Sequence, residues 1–263
     1  MEIITSTSSG AHLLLLSSNR TTNTIRANST PPKASSSPLP PSENIKDKIE
    51  IRVCTNRTCR KQGSLDVFQL LTGISPPSVT VKSCGCLARC GSGPNIVILP
   101  EGVLVGHCGT PRKAAEVMAA VCGIEDEGDV ATKCLEALAL RKIAEDEAGR
   151  ADFAKACDLL SQAIHLKPFG GLHILYKDRS AARLAMGDIN GALEDSKEAM
   201  NLAPHYPEAY LCEGDVFFAM EQFDGAEESF SIALDLDPSI RRSKSFKTRI
   251  AKLREKLAPA SMS

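Results

Sequence analysis

The sequence predicts a small α/β module followed by an all-α array of helical repeats. Over residues 48–124, short apolar strands and helical segments follow one another in the order β-α-β-β-α. Beyond residue 133, a pattern of small residues and proline recurs with a period near 34 residues, which is typical of stacked helix pairs. The first 47 residues differ from both parts in composition, so we expect them to lie outside the folded modules.

The bulk composition excludes several classes of protein. The chain has 263 residues, of which 43% are hydrophobic and 24% charged, and its formal net charge is −1. This balance is ordinary for a globular protein and predicts no nucleic-acid partner. The longest apolar run near the N-terminus, Leu13–Leu16, is far shorter than the roughly 18 residues that a membrane helix needs. We therefore predict no membrane span.

Residues 1–47 have the composition of an organellar transit peptide and a linker. No acidic residue occurs from Ile3 to Ser42, serine and threonine are abundant, and arginines are scattered. Few basic residues favour the chloroplast over the mitochondrion, and a location in the stroma or on the stromal face of the thylakoid is predicted. The Pro/Ser-rich stretch 30–42 is typical of a linker. A disordered N-terminal tail is the alternative.

The α/β module is predicted over residues 48–124 from its strands and breakers. A strand over Glu50–Val53 ends at Cys54, and a helical segment over Ser64–Leu71 follows. Three further strands are expected at residues 79–83, 95–99 and 103–105. Thr110 and Pro111 have the residue types of a helix N-cap and first helical position, so a helix should start there and run to Val121.

Four cysteines of this module leave two neighbouring strand ends. Cys54 and Cys59 follow the first strand, and Cys86 and Cys90 follow the second. Four thiolates suit either a [2Fe-2S] cluster or Zn²⁺. The gaps of four and three residues are looser than the two-residue knuckles usual for zinc, which favours the cluster. Zn²⁺ binding and a site without any metal remain alternatives.

The motif around these cysteines resembles that of a known family. C-x4-C, a helix, and then C-x3-C-G-x-G-P before an apolar strand is similar to the thioredoxin-like [2Fe-2S] ferredoxins, which share their fold with the small iron–sulfur subunit of respiratory complex I. The resemblance covers residues 49–123 and is carried by the string CLARCGSGPNIVILPEG. It implies that Cys54 and Cys59 bind one iron and that Cys86 and Cys90 bind the other. Cys84 is either a bystander or an exchangeable ligand.

An acidic hinge is predicted over residues 125–133, and three helical repeats with a capping helix over residues 134–257. Pro168, Pro204 and Pro238 each close one repeat, 36 and 34 residues apart. This period, with small residues where helices cross, is the signature of tetratricopeptide repeats. The final segment 239–257 has one apolar face and one strongly basic face. The basic face is either solvated or a docking surface for an acidic partner.

The first helices of such repeats line a groove that receives a protein client. The residues that we predict to line it are Arg141, Lys177, Asp178, Glu208, Leu211 and Asp215. The string LYKDRSAA in the second repeat resembles the LYxNRSAA of co-chaperones that clamp the C-terminal carboxylate of Hsp70 or Hsp90.

The clamp positions themselves depart from that pattern. Glu145 and Asp178 stand where the family has Asn, and Glu208 and Cys212 stand where it has Lys and Arg. Acidic side chains repel a carboxylate. The sequence therefore predicts that no Hsp70 or Hsp90 tail binds.

The function predicted from these parts is that of a plastid interaction and assembly factor. Its repeats would dock a client, by analogy a photosystem under assembly, while the cysteine module supplies a redox or structural function. The alternatives are a one-electron carrier recruited to its partner by the repeats and a scaffold that delivers its cluster. No Gly-rich dinucleotide loop or hydrolase constellation occurs, so the chain is not expected to be an enzyme.

Overall fold

The computed structural model describes residues 49–125 and 127–257. The predicted transit peptide and linker lie outside these residues. The first part of the described chain contains the predicted strands and helices, with one extra short helix that carries Cys59. Its elements are β1 (Ile49–Cys54), α1 (Arg57–Lys61), α2 (Ser64–Ile74), β2 (Val79–Cys84), β3 (Ile96–Leu99), β4 (Val103–Val105) and α3 (Pro111–Val121).

The four strands form one mixed sheet in the order β2-β1-β3-β4. β1 runs parallel to β2, whereas β3 is antiparallel to both β1 and β4. The parallel pair requires a crossover, which α2 supplies. The side chains of Ile51, Leu71, Ile96 and Met118 are fully buried between the sheet and the helices. The sheet therefore brings the carboxyl ends of β1 and β2, with their cysteines, to the same edge.

The second part of the described chain is a stack of helix pairs, which confirms the predicted repeat array of tetratricopeptide type. Alanines that recur in each pair, such as Ala156, Ala192 and Ala226, are fully buried because the two helices of a pair cross there. The helices are α4 (Glu127–Gly149), α5 (Phe153–His165), α6 (Leu172–Ala185), α7 (Ile189–Leu202), α8 (Pro207–Ala219), α9 (Phe223–Leu236), a 3-10 helix (Pro238–Arg242) and α10 (Lys244–Leu257).

The junction between the two parts is helical and packed, which corrects the predicted hinge over residues 125–133. α4 already begins at Glu127, and its residues Ala131, Cys134 and Leu138 belong to the buried core of the α/β module. The Gly171 N–H also donates to the Ser75 carbonyl at 3.1 Å. Burial of apolar side chains on α4 outweighs the acidic composition that suggested a hinge.

None of the helices within residues 49–125 and 127–257 is long and apolar enough to cross a membrane.

Candidate functional site

The first thiol pair, Cys54 and Cys59, is buried at the edge of the sheet. Cys54 ends β1 and is 1% exposed, and Cys59 lies in α1 and is 2% exposed. The Cys54 N–H donates to the Asn95 carbonyl at 2.9 Å. The side-chain amide of Asn95 lies 3.6 Å from the Cys59 sulfur and donates to it. β1, α1 and the segment before β3 therefore fix this pair.

Burial raises the pKa of the Cys59 thiol. Burial alone would also raise the pKa of Cys54, but hydrogen bonds to its sulfur outweigh burial, so the pKa is lowered. The donors are the backbone amides of Asn56 and Leu87 and the Cys59 side chain. Backbone N–H groups that point at a sulfur favour its thiolate form.

The second thiol pair, Cys86 and Cys90, lies on the exposed loop after β2. The two sulfur atoms are 3.6 Å apart. A hydrogen bond between the Cys90 thiol and the Cys86 sulfur raises the pKa of Cys90, and the charge of a Cys86 thiolate acts in the same direction. Cys84 ends β2, opposite Cys54 in the sheet register, and burial raises its pKa.

The structure thus brings the four predicted ligands together as two pairs rather than as one four-ligand site. Within the described residues, no group of three or more Cys, His, Asp or Glu side chains is placed to hold a metal ion. This arrangement tests neither the [2Fe-2S] prediction, in which each iron takes one pair, nor the Zn²⁺ alternative.

A second candidate site is the surface that the first helices of the three repeats form together with α10. The first helices are α4, α6 and α8, and we call this surface the first-helix face. The predicted groove residues do lie on these helices. Arg141 is on α4, Lys177 and Asp178 are on α6, and the remaining predicted groove residues, Glu208, Leu211 and Asp215, are on α8. The Cys212 thiol on α8 is 3.2 Å from the Ser180 hydroxyl on α6, so the helices form one layer.

Charged side chains pair with one another along this face. Arg141 Nε is 2.6 Å from Asp178 Oδ2, and Arg141 Nη2 is 2.6 Å from Glu145 Oε1. Lys177 also pairs with Asp178. Burial alone would lower the pKa of Arg141, but the charge and hydrogen bond of Asp178 raise it. Two of the carboxylates that the sequence analysis treated as repulsive, Asp178 and Glu145, are therefore neutralised by cations of the same face.

Arg249, His173 and Tyr206 are members of this face that sequence reasoning missed. Arg249, counted with the basic outer face of α10, instead turns to Asp215 and donates through Nε at 2.7 Å and Nη2 at 2.6 Å. His173 and Tyr206 meet edge to face, with ring centroids 5.0 Å apart. Burial, with the charges of Glu208 and Asp178, raises the pKa of Tyr206. These contacts join residues more than 30 positions apart, so the spacing within a single helix gives no sign of them.

The comparisons with known proteins concern the repeats. The chain is 38% identical over 88 residues to the Protein STIP1 homolog of Dictyostelium discoideum, which is 34% of this chain and 15% of that protein. It is 26% identical over 102 residues to the Hsp70-Hsp90 organising protein of Plasmodium falciparum, and this match covers 39% of this chain and 38% of that protein. The chain spans about a sixth of the length of the first curated relatives that it matches.

Among solved structures, the chain is similar to the first TPR of Spaghetti (RPAP3) bound to the HSP90 peptide SRMEEVD. The two superpose with a TM-score of 0.42 and are 21% identical, and the match covers 47% of this chain and 94% of that one. No protein-family model matches the chain.

These findings correct two predictions about the cysteine module. The resemblance of residues 49–123 to thioredoxin-like [2Fe-2S] ferredoxins is not supported, because no family model matches and the relatives found are co-chaperone proteins. What the structure contains there is a small mixed sheet with two thiol pairs. The classification as an iron–sulfur protein of photosystem assembly, which depended on this resemblance, loses its support in the same way.

The exclusion of Hsp70 and Hsp90 tails as partners was also wrong. One relative is named for both chaperones, and the repeat part of the chain is similar to it. The physical reason is that Glu145 and Asp178 were taken as free negative charges, whereas Arg141 and Lys177 neutralise them. The prediction of a non-enzymatic interaction protein is confirmed by the similarity of this chain to these proteins.

Proposed function

We propose that this chain is a protein-interaction adaptor whose first-helix face receives the C-terminal tail of an Hsp70- or Hsp90-type chaperone. The observation that carries the proposal is the 38% identity over 88 residues to the STIP1 homolog. The string LYKDRSAA lies on α6, the middle first helix.

The face has cations that a tail carboxylate can engage. The side chains of Arg141 and Lys177 are 20% and 24% exposed, so each is shielded from bulk water yet reachable. Partial burial strengthens a charge-assisted hydrogen bond relative to the exposed surface. A bound carboxylate takes over donors that Asp178 and Glu145 hold in the free chain. Binding then depends on an exchange of ion pairs, and we expect it to weaken as salt rises.

The test is a calorimetric titration of the full chain with a peptide ending in EEVD, in its free-acid and C-terminally amidated forms. We expect binding of the free acid in the micromolar range, at least about tenfold tighter than the amide, because one charge-assisted contact contributes about 1.5–3 kcal/mol. Arg141→Ala should weaken binding by a similar factor.

Lys142→Ala is the matched control, since Lys142 is the neighbouring, exposed cation of the same helix. It should leave affinity unchanged. Equal affinities for the acid and amide peptides, or equal effects of the two substitutions, would show that the carboxylate is not recognised at Arg141.

The cofactor of the cysteine module stays a proposal of its own. A [2Fe-2S] cluster on Cys54, Cys59, Cys86 and Cys90, or Zn²⁺ as the alternative, is tested by counting iron, acid-labile sulfide and zinc per chain after anaerobic purification. Two iron and two sulfide per chain support the cluster, and absence of all three elements refutes both.

Localisation to the chloroplast is likewise a proposal, and it depends on residues 1–47. Serine and threonine, scattered arginines and the lack of acidic residues support it. An import assay with isolated chloroplasts, comparing the full chain with one lacking residues 1–47, tests it. Digestion of the full chain by added protease would contradict the localisation, and protection of the shortened chain would show that residues 1–47 are not what directs it.

A further inference from the structure

The loop after β2 places two exposed thiols in contact. The sulfur atoms of Cys86 and Cys90 are 3.6 Å apart and both residues are exposed, whereas Cys54 and Cys59 are 1% and 2% exposed. We propose that Cys86 and Cys90 are a redox modification site, oxidised reversibly to an intramolecular disulfide by a small-molecule disulfide such as oxidised glutathione.

Local contacts hold the loop that brings the two sulfurs together. Ala88, between the two cysteines, has a φ of 61°, in the left-handed region, and its N–H donates to the Cys86 sulfur at 3.4 Å. The Asn95 side-chain amide donates to the Arg89 carbonyl at 2.7 Å and holds the far side of the loop. Little conformational entropy is therefore left to lose when the ring closes.

The remaining movement is short and unobstructed. A disulfide bond is about 2.05 Å long, so the sulfurs have about 1.5 Å to travel. Gly85 and Gly91 flank the pair, and a Cβ added at either glycine would meet no atom within 4 Å. This open space lets the backbone adjust on both sides of the bridge.

The reaction balances without any further reactant. One thiolate of the pair attacks a sulfur of oxidised glutathione, forms a mixed disulfide and releases one reduced glutathione. The second thiolate then attacks the protein sulfur of that mixed disulfide and releases the second glutathione. The two protein thiols are oxidised by two electrons, and the two hydrogens lost from them appear on the two glutathione thiols. Excess reduced glutathione reverses both steps.

The other nearby cysteines are poorly placed for the same reaction. Cys54 and Cys59 are shielded from the oxidant by burial. Cys84 is held in the sheet, because its carbonyl accepts the Thr55 N–H at 3.0 Å and its register partner is Cys54. Attack by a thiol requires access to the disulfide, so oxidation should be selective for the exposed pair.

The experiment uses the full chain, reduced and then incubated with oxidised glutathione, alkylated, and digested with trypsin. Cleavage after Arg89 separates Cys86 from Cys90, so a bridge between them appears as two linked peptides in the mass spectrum. We expect this linked pair, the loss of two alkylatable thiols, and full recovery of both with reduced glutathione. Thiol loss at Cys86 and Cys90 should be at least about tenfold faster than at Cys54 and Cys59.

Two variants locate the bridge within the loop. Cys84→Ser should leave the linked peptides unchanged, because Cys84 is on the same tryptic peptide as Cys86 but takes no part. Cys86→Ser should abolish the link and leave Cys90 with a glutathione adduct. Three results would overturn the proposal: a bridge that Cys84→Ser removes, glutathione adducts on both thiols of the unaltered chain without a link, or thiols that stay unreactive because iron or zinc is bound to them.

Discussion

At the scale of single residues, His173 shows how the first-helix face sets a protonation state. Its side chain is buried against Tyr206. Burial, reinforced by the nearby charges of Arg141 and Lys177, lowers the pKa of His173 to about 4. The imidazole is therefore neutral in the folded chain over the whole range in which an unfolded histidine takes up a proton.

This depressed pKa predicts a loss of stability in mild acid. Between pH 6.5 and about 4, the unfolded chain binds a proton at His173 that the folded chain does not, so the free energy of unfolding falls as pH falls. At pH 5 the expected loss is about 2 kcal/mol relative to pH 7.5. Urea unfolding of the chain and of His173→Gln at both pH values measures it.

Comparison with His173→Gln separates the contribution of His173 from that of the carboxylates that titrate in the same pH range. His173→Gln should lose about 2 kcal/mol less than the unaltered chain between pH 7.5 and pH 5. The control His205→Gln, at an exposed histidine, should retain the full dependence. If His173→Gln and the unaltered chain have the same pH dependence, His173 is not the group responsible.

At the scale of helix pairs, Gly214 allows α8 and α9 to approach closely. A Cβ added to Gly214 would lie within about 3 Å of the Phe230 ring, and Phe230 is only 2% exposed. Phe230 in turn packs edge to face on Phe246 of α10, with ring centroids 6.3 Å apart. The glycine thus serves the packing of the last repeat and its cap rather than backbone flexibility.

We expect Gly214→Ala to destabilise the chain by about 1–3 kcal/mol, because the buried ring must shift out of a well-packed position. Thermal unfolding followed by circular dichroism measures the effect. Gly149→Ala is the matched control at the end of α4, where an added Cβ meets nothing within 4 Å. This control should be neutral or stabilising by up to about 1 kcal/mol. A Gly214→Ala variant as stable as Gly149→Ala would contradict the close approach.

The helices and strands could be predicted from sequence because their signals are local. The spacing of Ala156, Ala192 and Ala226 indicates the repeat, and Thr110 before Pro111 indicates a helix start. The ion pairs of the first-helix face could not, because Arg141 meets Asp178 and Arg249 meets Asp215 across more than 30 residues. Sequence spacing gave no sign of these pairings, so free charges were inferred where the structure has neutral pairs.

At the scale of the whole described chain, one buried core joins the sheet module to the repeats. Leu138 of α4 is 8% exposed and belongs to the same cluster as Ile74 and Met118. A Cβ added to Gly73 would lie 2.7 Å from a methyl carbon of Leu138, so the two helices touch there. A shared core couples the unfolding of the two parts that it joins, because neither part can expose its core side chains without also uncovering those of the other part.

We therefore expect Leu138→Ala to lower the stability of both parts together, by about 2–4 kcal/mol. The three tyrosines, Tyr176, Tyr206 and Tyr210, all lie in the repeats, so tyrosine fluorescence reports on that part alone. Alkylation of the fully buried Cys108 reports on the sheet module. Both urea midpoints should shift by the same amount, whereas Leu65→Ala, at a leucine that is 41% exposed, should shift neither. A shift of one midpoint alone would mean that the two parts unfold independently, and the first-helix face would then be insensitive to events at the cysteine loop.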